Sequence, residues 1–162
     1  MPRVLVLYYS ISGNTEKMAR AVIEGLRAGG VEVDVRYYVD AEELMAYDAT
    51  VIGTPTYNRE LPLEIKRILN EATSKNVNLS GRVGAVFGSY GWSGEAPDKV
   101  LEIMESGLGM HVLKPPLKIK GSPDQYGLEK CRDLGRRVVE ELRTRTAKEK
   151  NNAGNQDNPV AF

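Results

Sequence analysis

A chain of 162 residues, 41% hydrophobic and 27% charged, has the length of one domain and the composition of an ordinary globular protein. Its 22 Lys and Arg are matched by 22 Asp and Glu, so no charge excess calls for a nucleic acid or an anionic membrane. A single cysteine, Cys131, and a single histidine, His111, exclude an internal disulfide and a multi-histidine metal centre, and no metal site is expected.

Val4-Leu5-Val6-Leu7-Tyr8-Tyr9 is a short apolar run rich in Val and Tyr, the pattern of a buried strand. Ser10-Ile11-Ser12-Gly13-Asn14-Thr15 follows at once, and from Glu16 to Leu26 the residues Met18, Val22 and Leu26 recur at helical spacing. Strand, hydroxyl-rich turn and helix make an anion cradle, because the free N–H groups of the first helical turn and the positive end of the helix dipole face the loop. Ser10, Ser12 and Thr15 add hydroxyls, Asn14 an amide, and Gly13 close backbone approach. The loop reads neither G-x-x-x-x-G-K-[ST] nor G-x-G-x-x-G, so it is neither a nucleoside-triphosphatase loop nor a dinucleotide fingerprint, and with no Lys or Arg in it a phosphate there would rest on neutral donors. Taken alone, the same residues also suit a helix N-cap with no ligand.

Gly29-Gly30 ends the first helix, and Val31 to Arg36 alternates as a half-exposed edge strand does. A short helix is predicted from Ala41 to Leu44 with Asp40 as its N-cap, then a central strand over Ala49-Thr50-Val51-Ile52-Gly53. A second loop, Thr54-Pro55-Thr56-Tyr57-Asn58-Arg59-Glu60, leads to a helix opened by Pro62 with Ile65, Ile68, Leu69 and Ala72 inward. Val83 to Phe87 is a third buried strand, and Gly88-Ser89-Tyr90-Gly91-Trp92-Ser93-Gly94 a third loop before a helix from Glu95 to Ser106. His111-Val112-Leu113 and Leu117-Lys118-Ile119 read as a last strand interrupted by Pro115-Pro116. A final helix runs from Asp124 to about Arg145 with Leu128, Cys131, Gly135, Val138 and Leu142 on one face. From Lys148 to Phe162 the chain is Asn-rich and poor in apolar residues, which predicts one domain over 1–146 and a disordered tail over 147–162.

Strands alternating with helices imply a parallel sheet covered on both faces, with ligands bound beyond the carboxyl ends of the strands. All three special loops leave such ends. A phosphate cradle together with Tyr57 and Trp92, or Tyr90, suits a flat ring carrying a phosphorylated arm, since stacking rewards a planar ligand by about 0.5–1.5 kcal/mol beyond burial. Cys131 reads as packing, His111 as structural or solvated, and the Arg-rich face of the last helix as solvated.

The runs VLVLYYSISGNT (4–15), YDATVIGTPTY (47–57) and FGSYGWSG (87–94) resemble the three FMN-binding loops of short-chain flavodoxins. The likeness is closer still to the flavodoxin module of flavodiiron proteins, and it covers residues 3–145. It implies a flavodoxin-like three-layer α/β sandwich with a five-stranded parallel sheet in order 2-1-3-4-5. It implies that Ser10, Ser12, Gly13, Asn14 and Thr15 hold the FMN phosphate. Thr54, Pro55, Thr56, Tyr57 and Asn58 would line one side of the isoalloxazine, and Ser89, Tyr90, Gly91, Trp92 and Gly94 the other.

Three departures shape the expectation. One histidine cannot build the diiron centre of flavodiiron proteins, so oxygen or nitric oxide reduction by this chain alone is not expected. Asn58 stands where many flavodoxins carry a Gly whose peptide flips toward the flavin N5; Asn takes positive φ less freely, which argues against strong stabilisation of the one-electron-reduced flavin. Balanced charge, where flavodoxins are typically acidic, predicts a less negative potential. The expected function is electron transfer between protein redox partners, with no catalytic residue, no nucleic acid and no membrane partner, as a monomer or homodimer. The alternatives are an NAD(P)H-dependent FMN or quinone reductase on the same fold and a non-redox module. With no membrane-spanning stretch and no signal-peptide-like start, the expected location is the cytoplasm.

Overall fold

The computed structural model describes residues 1–156, with side chains through residue 152. Its strands are β1 (Arg3–Tyr8), β2 (Glu32–Arg36), β3 (Ala49–Gly53), β4 (Val83–Tyr90), β5 (His111–Val112) and β6 (Leu117–Lys120). Its α-helices are α1 (Asn14–Ala28), α2 (Leu63–Ser74), α3 (Glu95–Glu102) and α4 (Gln125–Gln156). A 3₁₀ helix occupies Ala41–Ala46, and α3 widens into a π-helical turn over Ile103–Gly107.

All pairing between these strands is parallel, in the order β2-β1-β3-β4-β5. Two short segments fill the fifth position: β5 pairs with Val83 and Gly84 of β4, and β6 with Phe87 to Tyr90. Pro115 and Pro116 lie between them and carry no N–H for the ladder, so the expected last strand is split in two.

Each central strand is buried on both faces because its side chains alternate between two cores. Val4, Val6 and Tyr8 of β1 join Val51, Ala85 and Phe87 against α1 and α4. Leu5 and Leu7 join Ile52 and Val86 against the 3₁₀ helix, α2 and α3. Three layers follow from that alternation. β2 pairs only with β1 and stays largely open to solvent, as its alternating sequence predicts.

Several boundaries differ from the sequence reading. α1 starts at Asn14, not Glu16, because Gly13 at φ 91° turns the chain directly into the helix and puts Asn14 and Thr15 in its first turn. The segment after Asp40 is 3₁₀: the Glu43 N–H donates to the Asp40 carbonyl, and the Asp40 side chain caps nothing. α4 continues past Arg145 and residue 146 to Gln156; Ala147, Lys148, Glu149 and Lys150 are good helix formers that carry it beyond the expected end. The rest of the expected tail, 157–162, lies outside the described residues.

α1 and α4 approach closely at two glycines. A Cβ on Gly25 would stand 2.1 Å from the Arg132 carbonyl oxygen, and one on Gly135 2.4 Å from that of Val22. Alanine at a helix interior gains about 1 kcal/mol of propensity over glycine, but here it would push backbone against backbone. Gly135→Ala is therefore expected to destabilise by about 1–3 kcal/mol in urea unfolding, the overpacking cost exceeding the propensity gain. A stabilised variant would mean that the two helices are free to move apart.

Cys131 is fully buried on α4 in the core beneath α1, and burial pushes its thiol up to about 12. A thiol held protonated and covered should not react. The native protein is expected to resist an aromatic disulfide reagent at pH 8 and to react stoichiometrically once unfolded.

Candidate functional site: three loops at the carboxyl rim of the sheet

β1, β3 and β4 end at one rim, and the three loops leave it side by side. The rim is fastened by backbone bonds that prolong the ladder: the Tyr9 N–H donates to Gly53 O (3.1 Å), Thr54 N–H to Phe87 O (3.0 Å) and Thr56 N–H to Ser89 O (3.3 Å).

The first loop organises itself around one hydroxyl. Ser10 Oγ accepts the N–H of Gly13 (3.2 Å) and of Glu16 (3.3 Å), curling the chain around a small concavity. Among the described residues, the N–H groups of Ser12, Asn14 and Thr15 donate to no protein group. These are the orphan donors of a helix N-terminus, gathered beside the positive end of the α1 dipole. Thr15 is buried, and its Oγ1 shares a 2.7 Å hydrogen bond with Ser89 Oγ, tying the first loop to the third.

The second loop is a short hairpin. Tyr57 and Glu60 exchange both backbone hydrogen bonds (3.0 and 2.8 Å) around Asn58 and Arg59, whose φ values are 49° and 64°. Two consecutive positive-φ residues make a type I′ turn, normally given to Asn-Gly; Arg in the second place is strained. Lys99 of α3 fastens the turn, its Nζ donating to the Arg59 carbonyl (2.9 Å) and pairing with the Glu60 carboxylate. Glu60 also meets Lys66 at 3.3 Å, and these two ammonium groups hold its carboxyl below the usual range. Thr54 is fully buried, its hydroxyl donating to Pro55 O (2.9 Å), which fixes the loop. Thr56 Oγ1 accepts the Ala96 N–H (3.1 Å) and so caps α3. Burial raises the Tyr57 phenol pKa, and the nearby Ile11 N–H opposes that, which places the Tyr57 hydroxyl against the first loop.

The third loop is held from below by β6. The Gly121 N–H donates to Tyr90 O (2.8 Å), and Lys118 Nζ donates to Gly94 O (3.1 Å) and pairs with Asp98. Trp92 projects into solvent, 91% exposed.

Two adjoining clefts result. One of about 160 Å³ is bounded by Ser12 and Asn14, by Pro55, Thr56 and Tyr57, and by Ser89, Tyr90 and Gly91. The other, of about 240 Å³, lies between Asn58 and Arg59 on one side and Trp92 and Ser93 on the other, with Thr56 shared. Most of the anticipated residues thus meet at one place. Ser10 and Thr15 act at its edge through their hydrogen bonds, Gly13 shapes the turn, and Gly94 stands at the start of α3 with its Cα packed near the Tyr90 ring. Gly121, Ser93 and Lys99 were not anticipated from the sequence. Gly121 alone carried a signal, a glycine closing an apolar-polar alternation, but only the β6–β4 pairing shows that it borders the cleft.

The donor set fits a phosphorylated flat cofactor. Free N–H groups at a helix start suit a phosphate, and a groove between Tyr57, Tyr90 and Trp92 suits a conjugated ring. Among the described residues no helix is long and apolar enough to cross a membrane, and no group of three His, Cys, Asp or Glu is placed to hold a metal ion.

Known proteins are similar to this chain in sequence and in fold. The flavodoxin family model matches residues 6–135. The type A flavoprotein fprA of Rhodobacter capsulatus is 34% identical over 152 residues, which are 89% of this chain and 34% of that protein. A putative diflavin flavoprotein A 4 of Synechocystis is 33% identical over 148 residues, 88% of this chain and 24% of that protein. Among solved structures, a flavodoxin from the domain Archaea superposes with a TM-score of 0.79 at 36% identity, covering 87% of this chain and 99% of that one. The rubredoxin oxygen:oxidoreductase of Desulfovibrio gigas gives 0.79 at 27% identity, over 90% of this chain and 37% of that one. The chain thus spans about a quarter to a third of these two curated relatives and nearly all of the archaeal flavodoxin. Flavodoxin domains bind FMN. With a matching model over most of its length and the three loops in place, the chain belongs to the flavodoxin family.

Proposed function

We propose that this chain is an FMN-dependent electron carrier that passes electrons between protein partners. The observation that carries the reading is the convergence of three unpartnered N–H groups at the start of α1 with an aromatic groove between the second and third loops. The N–H groups of Ser12, Asn14 and Thr15 hold the phosphate, with the hydroxyls of Ser10 and Ser12 and the Asn14 amide completing a cradle of neutral donors. Thr54 and Pro55 fix the wall of the groove; Thr56, Tyr57 and Asn58 face one side of the ring, and Ser89, Tyr90, Gly91 and Trp92 the other, with Gly94 admitting the Tyr90 ring. Bound there, FMN supplies reversible one- or two-electron chemistry, and the protein supplies position and charge. No general base or nucleophile is required.

Charge around the ring is mixed. Arg59, Lys66 and Lys99 stand against Glu60 and Glu95, and the Ser93 hydroxyl and nearby Arg59 and Lys99 hold the Glu95 carboxyl low, so it remains ionised. Exposed Ile11, Tyr57 and Trp92 stand at the rim of the site, apolar surface of the kind that brings a partner within electron-transfer reach. The matched relatives are longer than this chain, and their whole-protein activities are not carried over.

Reconstitution followed by anaerobic potentiometry tests the proposal. The purified chain is expected to take up one equivalent of FMN and to oxidise NAD(P)H negligibly with a quinone as acceptor. Failure to bind FMN would remove the cofactor assignment, and rapid NAD(P)H turnover would replace the carrier with a reductase.

Lys99 offers a sharper check. Lys99→Met removes the tie to the strained Asn58–Arg59 turn and one positive charge beside the ring. FMN affinity is expected to fall by roughly three- to tenfold, about 0.7–1.4 kcal/mol, and the midpoint potential to become more negative. Lys75→Met, which loses pairs with Glu42 and Glu71 on the 3₁₀ helix and α2, should change neither. Equal effects from both variants would reduce the role of Lys99 to general charge.

A further inference from the structure

A larger cleft, about 520 Å³, opens on the opposite side of Ser10 from the FMN groove, between the end of β2 and the start of α2. Tyr8 forms its floor, 6% exposed, with the Tyr37 ring packed edge-on at 5.2 Å between centroids and the two hydroxyls 3.3 Å apart. Tyr9 adds a second aromatic surface. Tyr37 and Tyr38 stand over the mouth, 67% and 56% exposed, a large apolar area to leave in water at one edge of the sheet.

The facing wall is α2, which presents Glu64 and Arg67 one turn apart on the same face. Neither side chain makes an ion pair or a hydrogen bond among the described residues, whereas Lys66 between them is paired with Glu60 and Lys75 beyond them with Glu42 and Glu71. An unspent carboxylate and an unspent guanidinium thus border an aromatic cleft whose size lies in the range of small-molecule sites, about 300–1,000 Å³.

We propose that this cleft is a second ligand site, taking a neutral planar aromatic molecule that carries a carboxamide on its edge. The tyrosine rings supply stacking surface. Arg67 donates to the amide oxygen, and Glu64 accepts from the amide N–H. Charge selects against the alternatives. Glu64 and Arg67 cancel, and the remaining carboxylate at the rim, Glu16, is already paired with Arg20 at 3.2 Å, so neither an organic cation nor a phosphate finds net opposite charge. Burial and the Tyr37 hydroxyl push the Tyr8 phenol up to about 12, so the floor stays neutral across the working pH range. The site shares only Ser10 with the proposed phosphate cradle, and none of its walls belongs to the second or third loop, so it does not rest on the electron-carrier reading.

Titrating the oxidised, FMN-loaded protein with nicotinamide, followed by amide resonances, tests it. Saturable shifts are expected at residues 8–10, 37–38 and 64–67. Tyr37→Ala and Arg67→Ala, both at exposed positions, should each weaken binding roughly fivefold or more with FMN retained. Nicotinate keeps the acceptor for Arg67 but has no N–H for Glu64 and faces its charge, so it should bind no more tightly than nicotinamide. Absence of saturable shifts, equal affinity in the variants, or shifts centred on residues 54–58 and 89–94 would overturn the assignment.

Discussion

The constraint on which the molecule depends is that β1 and β3 lie side by side yet send their helices to opposite faces of the sheet. α1 packs in the core containing Val4, Val6 and Val51, and α2 in the core containing Leu5, Leu7 and Ile52. The chain must therefore part at the carboxyl ends of these two strands, and nothing of the main chain crosses the gap. That crevice is where the first loop releases its N–H groups and where the second loop turns back as a hairpin. β4, next to β3, brings the third loop to the same rim. A parallel sheet with both faces buried leaves its binding site at this rim as a consequence of topology.

Local chemistry then refines what topology opens. Ser10 spends its oxygen on the backbone of its own loop, which leaves the N–H groups further along free for an anion. The buried Thr15–Ser89 pair fixes the distance between cradle and third loop. The Asn58–Arg59 turn is the strained element, two positive-φ residues without a glycine, and it is restrained from outside by Lys99. Strain held by a neighbour and not by the turn's own sequence can be tuned without altering the fold.

Much of this was legible in the chain. The apolar runs 4–9, 49–53 and 83–87 are strands because a doubly covered parallel sheet removes the polar face that would otherwise interrupt them. The three loops were visible as Ser/Gly/Asn, Thr/Pro and Gly/aromatic clusters behind those runs. Less visible were features set by partners distant in sequence. Gly121 borders the cleft only because β6 pairs with the end of β4, and Thr54 is buried at a rim where its N–H prolongs the β3–β4 ladder to Phe87. α4 runs beyond the end expected near Arg145, where Ala147, Lys148, Glu149 and Lys150 favour helix by their own propensity with no core to pack against.

The sequence by itself determined the alternation of strands and helices, the three-layer class, the place of each loop behind its strand, and the neutral character of the cradle, because these rest on periodicity and on residues adjacent in the chain. Only the tertiary structure decided which hydroxyls are spent on the backbone and which N–H groups stay free. It alone revealed that Lys99 restrains the second loop and that Tyr8, Tyr37, Glu64 and Arg67 share a cleft. Those depend on the angle and separation at which elements pack, and no local pattern encodes a distance between α3 and a turn 40 residues earlier.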